Sequence, residues 1–578
     1  MMNLRSRPCF SFVLFLGLVQ LTGVTPRLAA SHAPVRAVQG MVVSSESHAS
    51  QVGVDILKRG GNAVDAAVAV GFALAVTHPF AGNIGGGGFM LIRMNNGETT
   101  LVDYREMACG KATREMYLDS SGDVIKDAST VGYRAVAVPG TVAGLYLALQ
   151  KFGTLKWSEV VQPAIHLARD GFRVSYAFSQ SLRNASKLLA QFPESNRIFL
   201  RDGKFYEEGE LFKQPELADT LDRIAARGPK EFYEGETAKK LAADMAAHGG
   251  LITEEDLKGY SAKWRTPVRG TYRGYDIISA PPPSSGGTAL IEILNTLEHF
   301  DLRSMGALSA AALHVEAESM RRAFSDRALY MGDSDFVKLP VAGLISKKYS
   351  DKLAREINLT QATASATVHN PDPFAFEGTE TTHYSIVDHW GNAIANTYTL
   401  NAGYGSGVTA KGLGFLLNDE MDDFTSKPGS PNMFGLIQSE NNSIQARKRP
   451  LSAMTPTLVL KQGRLFMVTG SPGGPTIINT VLQTIVNVID FGMNIQEAVD
   501  APRIHHQWMP DELQVEPVGF STDTLDILRS EGYHLKPLIS PLWGNQFLGD
   551  AQAILIDLKT GVRQGAADPR RNGMAIGY

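Results

Sequence analysis

Residues 381–400 restrict the possible folds of this chain more than any other segment does. Asp388–Asn392, DHWGN, is a turn candidate between two runs in which polar and apolar residues alternate. A three-residue loop puts Gly391 where a left-handed backbone conformation is needed. The two ends of the turn then pair with each other, and the same register places Thr381 opposite Thr399 unless a bulge shifts it. The sequence therefore predicts a mid-chain hairpin with two threonine hydroxyls close together.

Helix-like and strand-like patterns are mixed along the rest of the chain. Periodicity predicts helices at Ser47–Lys58, Ala63–Val76 (capped by Asn62), Val142–Lys151, Trp157–Asp170, Pro215–Arg227, Glu236–Ala247, Ser309–Met331 and Val481–Phe491. Predicted strands are Phe89–Met94, Thr100–Tyr104, His383–Val387, Ile394–Leu400, Thr457–Lys461 and Leu465–Thr469. Because the order follows no strict βαβ rhythm, a layered α+β fold is favoured over a doubly wound parallel sheet.

Residues 1–30 have the pattern of an export signal. Basic Arg5 and Arg7 precede the apolar run Phe10–Val24, and the small residues of Leu28–Ala30 offer a cleavage site. The apolar run is shorter than the roughly 20 residues that a membrane helix needs, so removal is favoured over a retained anchor. We therefore expect a periplasmic or secreted protein without a membrane anchor.

The composition excludes several classes of protein. A net charge of −4 over 578 residues and a hydrophobic content of 44% are atypical of disordered, collagen-like or nucleic-acid-binding chains. No long linker rich in Pro, Gly or Ser separates independent units. Once the signal with Cys9 is removed, Cys109 is the only cysteine left and cannot form an internal disulfide. Stability must therefore come from a large hydrophobic core.

Thr381 is a candidate nucleophile, although strand preference alone would also explain a Thr-Thr pair. An N-terminal threonine supplies its own α-amine as the base that activates its hydroxyl. Such an amine has a pKa of about 7.7–8.0, so much of it is neutral near physiological pH. Thr381 becomes N-terminal only if the bond after Glu380 is cut. Its hydroxyl could make that cut by attacking the Glu380 carbonyl, forming an ester that water opens.

Three further segments could bind parts of a substrate. Gly473 and Gly474 follow a predicted strand, and their bare N–H groups could stabilise an oxyanion, unless they form a plain turn. Arg105 could hold a carboxylate through its planar guanidinium, although a lone arginine is more often a surface salt bridge. The acidic run Asp419–Asp423 could bind a cationic group such as a substrate amine, or be a solvated turn.

No metal, phosphate or other cofactor is expected. Gly85–Gly88 lacks the Gly-Lys-Ser/Thr ending of a P-loop and the spacing of a dinucleotide motif, so a tight turn with close backbone packing is favoured. No G-x-S-x-G motif occurs. The adjacent His505 and His506 point apart on any regular element, and the chain has no H-E-x-x-H motif.

Considered together, motifs along nearly the whole mature chain resemble the γ-glutamyltranspeptidase family. They are GGNAVDAAVA (60–69), GNIGGGGFM (82–90), DYREMA (103–108), AVPGTVAGL (137–145), PPPSSGG (281–287), TTHYSIVD (381–388), YTLNAGYGSG (398–407), LLNDEMDDF (416–424), RPLSAMTPT (449–457), GSPGG (470–474) and APRIHHQW (501–508). Each motif alone is weak, but their order and spacing are highly specific.

The resemblance implies an N-terminal-nucleophile hydrolase with a four-layer αββα sandwich. Autocleavage between Glu380 and Thr381 would leave a large subunit, residues 31–380, and a small subunit, residues 381–578, held together as a heterodimer without a covalent link. Thr381 would then form a γ-glutamyl ester with glutathione or another γ-glutamyl compound. Water, an amino acid or a dipeptide would accept the γ-glutamyl group.

The resemblance also implies roles for individual residues. Thr399 would orient the nucleophile, and Gly473 and Gly474 would form the oxyanion hole. The substrate α-carboxylate would be held by Arg105 and Ser452. Its α-amine would be bound by Asn401, Glu420 and Asp423.

Two positions depart from the family pattern. Ala453 stands where a second serine is common, which removes one hydrogen bond to the substrate carboxylate. In the lid segment Pro428–Gly435, Phe434 replaces a frequent tyrosine and cannot donate a hydrogen bond. Both changes indicate drift in substrate preference. The alternative functions are a related cephalosporin (glutaryl) acylase and a non-enzymatic exported binding protein that keeps the fold.

Overall fold

A computed structural model describes residues 31–373, 384–538 and 547–578. The predicted signal peptide (residues 1–30) lies outside the described residues. So do Glu380 and Thr381, and the first position of the strand predicted at His383–Val387.

The described chain contains two seven-stranded antiparallel sheets. In spatial order, the first consists of Val35–Ala37 (β1), Arg563–Ala567 (β18), Gln552–Ile556 (β17), Arg464–Thr469 (β13), Thr457–Lys461 (β12), Tyr275–Ser279 (β9) and Val268–Tyr272 (β8). The second consists of Met574–Gly577 (β19), Met41–Ser44 (β2), Ser385–Val387 (β10), Ala393–Thr399 (β11), Gly87–Arg93 (β3), Thr99–Tyr104 (β4) and Lys263–Arg265 (β7). Smaller sheets are formed by Phe172–Arg173 (β5) with Leu211–Phe212 (β6), and by Ile504–His505 (β14), Leu513–Val515 (β15) and Leu535–Pro537 (β16).

Helices cover both outer faces of the paired sheets. The first part of the chain contributes Ser47–Lys58 (α1), Ala63–Thr77 (α2), Thr141–Phe152 (α3), Trp157–Asp170 (α4), Tyr176–Asn184 (α5), Ser186–Leu189 (α6), Pro193–Ser195 (α7), Pro215–Arg227 (α8), Pro229–Tyr233 (α9), Glu236–Ala247 (α10) and Glu254–Lys258 (α11). The rest contributes Gly286–Leu297 (α12), Leu302–Met305 (α13), Ala310–Tyr330 (α14), Val341–Leu344 (α15), Lys347–Arg355 (α16), Thr476–Ile489 (α17), Ile495–Asp500 (α18) and Thr522–Ser530 (α19).

The buried side chains define four layers. Along β3, Phe89 and Leu91 pack against Leu458 of the other sheet, in a core between the two sheets. The intervening Met90 faces the opposite way and packs in the core formed with α1–α4. A third core joins the outer face of the first sheet to α12, α14 and α17. The predicted α+β fold and αββα sandwich are confirmed.

The register of the central hairpin agrees with the sequence-based prediction. Ile386 pairs with Ile394, and the Asn396 N–H donates to the Tyr384 carbonyl oxygen at 2.6 Å, which extends the same register by one pair. Gly391 has φ +90°, the left-handed conformation that the turn requires. The predicted pairing of Thr381 with Thr399 lies outside the described residues.

Local signals located most of the predicted helices. The bounds of α1, α4, α8 and α10 coincide with the predicted ones. Asn62 caps α2 by accepting from the N–H of Val64 and of Asp65. In contrast, α17 begins at Thr476, five residues before the predicted start. Cys109 is a buried free thiol, and within the described residues no helix is long and apolar enough to cross a membrane.

Candidate active site

A cavity opens where the end of β11 meets the loop between β13 and α17. Its wall contains seven of the predicted site residues: Thr399, Asn401, Glu420, Asp423, Ser452, Gly473 and Gly474. Tyr384, three residues after Thr381, also lines it. The cavity therefore collects residues from distant parts of the sequence, from Ser45 to Arg571.

The four-glycine run supports one wall of this cavity by close backbone packing. A Cβ at Gly85 would lie 2.1 Å from the Leu416 carbonyl oxygen, and one at Gly86 would lie 2.0 Å from that of Thr399. No other residue fits such contacts. The close backbone packing predicted for this run is confirmed.

Thr399 and Asn401 are held in a tight turn at the end of β11. The Thr399 Oγ1 accepts a hydrogen bond from the Asn401 N–H at 2.8 Å. Asn401 has φ +77°, a conformation that asparagine tolerates better than most residues. Its side-chain Nδ2 donates to the Asp419 carbonyl oxygen at 3.2 Å. This turn fixes two polar side chains at the cavity wall.

Gly473 and Gly474 have the geometry of an oxyanion hole. Their φ values are +136° and +58°, which side-chain-bearing residues rarely adopt. Among the described residues, neither N–H has a hydrogen-bond acceptor, while their carbonyl oxygens accept from Thr476 and Ile477 at the start of α17. Two bare donors beside a cavity can stabilise a developing negative charge.

Arg105 lies behind the cavity wall in an ion-pair cluster that reaches the cavity through Asp423. Its guanidinium donates to carboxylate oxygens of Glu420 and Asp423 and contacts Glu106 at 3.4 Å. Burial opposes the charge, but these carboxylates raise the pKa of Arg105 above its usual value. The alternative of a surface salt bridge at Arg105 is wrong, because its side chain is 0% exposed.

The acidic run is buried as well. Asp419, Glu420 and Asp422 are at most 5% exposed, so the alternative of a solvated turn is wrong. Burial raises the pKa of Glu420 well above its usual value, although Arg105 opposes this. Three carboxyl groups, those of Glu106, Glu420 and Asp423, surround the Arg105 guanidinium.

Ser452, Ala453 and Phe434 complete the same wall. Ser452 is 2% exposed, and its Oγ accepts from the Met454 N–H at 3.3 Å. Ala453 lines the cavity beside it. The Phe434 ring packs over Gly474, where an added Cβ would lie 3.0 Å from the ring. Both departures from the family pattern therefore face the cavity directly.

Sequence reasoning missed two charged residues at this site. Arg327, on α14, lines the cavity and is 3% exposed. Glu106 is fully buried, and desolvation raises its pKa to about 7 against the opposing effect of Arg105. Arg327 gave no signal because arginines in a long helix usually face solvent. Glu106 is part of the DYREMA motif, which pointed only to Arg105.

Two stacked antiparallel sheets between helical layers, with Tyr384 and Thr399 of the central hairpin lining this cavity, define the class of N-terminal-nucleophile hydrolases. The family model described as gamma-glutamyltranspeptidase matches residues 49–578, and the chain belongs to this family.

Individual relatives agree with this assignment. The chain is 50% identical to the glutathione hydrolase proenzyme of Escherichia coli K12 over 547 residues, covering 94% of this chain and 93% of that protein. A solved structure of Helicobacter pylori gamma-glutamyltranspeptidase is 48% identical, with a TM-score of 0.56, over 57% of this chain and 95% of that one. The solved structure of cephalosporin acylase from Bacillus halodurans is 27% identical, with a TM-score of 0.83, over 97% of this chain and 99% of that one.

Proposed function

We propose that this chain is the precursor of a γ-glutamyltransferase and glutathione hydrolase that cuts itself before Thr381. The observation that carries the proposal is the single cavity that joins bare oxyanion donors, Thr399 and buried acids at the end of the hairpin. Three peptide units span at most about 11 Å, so the chain from Tyr384, which lines this cavity, keeps Thr381 near it. The relative named glutathione hydrolase proenzyme in Escherichia coli supports both the substrate and the processing.

The chemistry proceeds in two stages on one hydroxyl. In the first, the Thr381 Oγ attacks the Glu380 carbonyl, the peptide nitrogen leaves as an amine, and water hydrolyses the resulting ester. In the second, the freed α-amine takes the hydroxyl proton while Oγ attacks the γ-glutamyl carbonyl. The cysteinylglycine amine leaves with a proton, and a γ-glutamyl ester remains. Water or the amine of an amino acid or peptide then takes the acyl group.

The cavity residues have matching roles in this proposal. The N–H groups of Gly473 and Gly474 stabilise the oxyanion of each tetrahedral intermediate. Thr399 orients the nucleophile. Substrate binding uses Arg105 and Ser452 for the α-carboxylate, and Asn401, Glu420 and Asp423 for the α-amine.

A cephalosporin acylase is the second candidate, because the Bacillus halodurans acylase shares the fold over almost the whole chain. A glutaryl group carries no α-amine, so it would supply no ammonium group to Glu420 and Asp423, which line the cavity and are paired with Arg105 on their other side. Turnover of γ-glutamyl-p-nitroanilide that far exceeds turnover of a glutaryl-cephalosporin supports the transferase. The opposite ranking supports the acylase.

We also propose that the chain is exported, loses residues 1–30, and works in the periplasm or outside the cell as a heterodimer of residues 31–380 and 381–578. The support is the signal pattern at the N-terminus and the proenzyme names of the bacterial relatives. Amino acids and short peptides are the proposed acceptors.

The decisive experiment compares Thr381→Ala with the neighbouring Thr382→Ala. The first variant should remain one polypeptide and lose at least about 10³-fold in turnover of γ-glutamyl-p-nitroanilide, since both stages need the Thr381 hydroxyl. The control should be cut, and its smaller fragment should begin with Thr381 on N-terminal sequencing. Normal cleavage of Thr381→Ala would reject the proposal.

A further inference from the structure

Residues 358–373 lead from the end of α16 towards the proposed cleavage site. All of them are described, and they contain no strand and a single short 3₁₀ turn, Ser365–Thr367. Connecting segments of this kind usually run over the surface with few contacts to the core. This segment, in contrast, has hydrogen bonds to the core in its middle and on both sides. We call it the tether segment.

Ser365 is the central anchor of the tether segment, and it is 0% exposed. Its N–H donates to the Asp511 carboxylate at 2.8 Å, and its carbonyl oxygen accepts from the Trp508 indole N–H at 2.9 Å. Its hydroxyl accepts from Arg321, which also pairs with Asp511. Asp511 and Trp508 follow the proposed cut in the sequence, so this anchor joins the end of the large-subunit part to the small-subunit part.

Two further bonds fix the tether segment to α14 on either side of Ser365. The Thr363 N–H donates to the Glu318 carboxylate at 3.1 Å. Nearer the cut, the Asn370 side chain donates to the Arg322 carbonyl oxygen at 2.9 Å. The tether segment therefore follows a fixed path as far as residue 373, and residues 374–383 alone separate its end from the hairpin residue that lines the cavity.

Trp508 keeps an unfavourable backbone conformation at this anchor. Its φ is +67°, in the left-handed region that bulky residues rarely adopt. Its N–H donates to the His506 Nδ1 at 3.1 Å, and burial lowers the pKa of His506 to about 4, so this ring is neutral at physiological pH. The His506 Nε2 then carries the proton and lies 3.4 Å from Asp511. Strained residues persist where the surroundings fix them, often for a functional reason. Here the strain directs the indole and the carboxylate at Ser365.

We propose that Asp511 and Trp508 are positioning residues for self-cleavage, because they fix the tether segment and thereby confine the Glu380–Thr381 bond to the neighbourhood of the cavity. This inference rests on the proposed function and assigns residues to its maturation step. Both residues lie outside the cavity wall that the described residues form. They act on the position of the bond that is cut and not on its chemistry.

The length of the connecting chain gives the size of the effect. In the cleavage step the Thr381 Oγ attacks the Glu380 carbonyl carbon, the peptide nitrogen leaves as a protonated amine, and water opens the ester. The carbonyl must meet the bare N–H groups of Gly473 and Gly474 at that moment. If the tether segment is released back to α16, the flexible connection becomes about three times as long. The chance of this encounter then falls roughly as the 3/2 power of length, about fivefold.

The test inserts the same flexible Gly/Ser segment of about 20 residues at two positions of the full-length chain. After Pro373 it lengthens the connection between the tether segment and the cut, and self-cleavage should slow about fivefold. After Leu359, which is 53% exposed and precedes the anchors, it should leave the rate unchanged. Pulse-labelled cells sampled over time and run on SDS gels measure the conversion of precursor into two fragments.

Combining Trp508→Phe with Asp511→Asn should remove the difference between the two positions. Without the anchor, self-cleavage should slow by up to about fivefold, and the insertion after Leu359 should slow it further. Once conversion is complete, kcat for γ-glutamyl-p-nitroanilide should equal that of the wild type, because the tether acts only before the cut. The matched control is Glu512→Gln, whose carboxylate pairs with Lys536 nearer the surface; it should be cut at the wild-type rate.

Equal cleavage rates for the two insertions in the otherwise unchanged chain overturn the inference. If the double variant fails to fold, the two insertions decide alone, since they alter none of the anchoring residues. A wild-type chain that stays uncut would instead overturn the proposed function, and the inference with it.

Discussion

At the scale of single residues, the surroundings of a charged side chain decide what it can do. Arg105 and Arg327 have the same chemistry and are both almost inaccessible to solvent. Arg105 has bonds to carboxylates, whereas Arg327 has a buried Nη1 without a partner in the described chain. Substituting them should therefore have different consequences.

Arg105→Ala should lower both stability and substrate affinity. Removing the guanidinium leaves buried carboxylates of Glu420 and Asp423 uncompensated, which typically costs about 3–5 kcal/mol in unfolding free energy. We expect KM for γ-glutamyl-p-nitroanilide to rise as well, because the acids lose their positions. Urea unfolding in an uncut Thr381→Ala background measures the loss of stability. Steady-state kinetics of the active protein measure the rise in KM.

Arg114→Ala is the control for that substitution. Arg114 forms a 2.9 Å ion pair with Glu440, whose side chain is 67% exposed, so its loss should cost less than about 1 kcal/mol. Equal stability losses in the two variants would show that the buried cluster around Arg105 is not the cause of the loss in Arg105→Ala.

At the scale of secondary-structure elements, the junction between β13 and α17 is the most demanding part of the site. Gly474 combines a left-handed φ with close contact to the Phe434 ring. Gly463, in the turn between β12 and β13, also has a left-handed φ of +73°, but a Cβ there would meet no atom within 4 Å. Alanine substitutions at these two positions therefore separate the cost of the left-handed backbone from the effect on the candidate oxyanion hole.

Gly474→Ala should reduce kcat by on the order of 10²-fold, because the displaced N–H can no longer reach an oxyanion. Its stability should fall by about 1 kcal/mol through the unfavourable φ alone. Gly463→Ala should show a similar stability loss with kcat unchanged. A Gly474→Ala enzyme with full kcat would remove this N–H from the oxyanion hole.

Helix α14 carries a buried acid that should make stability depend on pH. Glu316 is 4% exposed, and burial, helped by the charge of Asp490, raises its pKa from 4.5 to about 8. Between these two values the unfolded chain is ionised while the folded chain keeps the proton. Stability should therefore fall as pH rises through this range, by up to about 1.4 kcal/mol per pH unit.

Glu316→Gln should remove this dependence and leave the protein relatively more stable at the alkaline end. Urea midpoints at several pH values between 5 and 8 measure it, with Glu208→Gln, an exposed loop position, as the matched control. A wild-type slope that survives unchanged in Glu316→Gln would assign the pH dependence to other groups.

At the scale of the whole molecule, both large sheets combine strands from the two sides of the proposed cleavage site. In the second sheet, β2 from the large-subunit part lies between β19 and β10 from the small-subunit part. The first sheet likewise places β1 beside β18, and β9 beside β12. Separating the two parts would expose unpaired strand edges and both sides of the inter-sheet core.

The cut protein should therefore behave as one particle in the absence of denaturant. Size-exclusion chromatography should give one species with the same elution volume as uncut Thr381→Ala, and SDS gels should separate it into two bands. Fragments that part in native buffer would contradict a heterodimer held by shared sheets.

The hairpin register and several helix bounds followed from the sequence alone, since turn chemistry and hydrophobic periodicity act between near neighbours. Gly391 set the turn, and Asn62 set the start of α2. The family motifs likewise located most residues of the cavity wall. The start of α17 was missed. Gly474, two residues before this helix, packs against Phe434, and no local pattern encodes such a contact between separate segments.

The tertiary structure alone decided which charges are buried and which of them have partners. Nothing in the run Asp419–Asp423, or in the arginines of α14, distinguishes a solvated side chain from a desolvated one, because desolvation depends on what distant segments place around it. Arg327, Asp423 and Ser452 come together only when the two sheets and their helices pack. The sequence thus determined which charged and polar side chains are available to the site. Tertiary packing determined how deeply they are buried, and hence how strong their electrostatic interactions are.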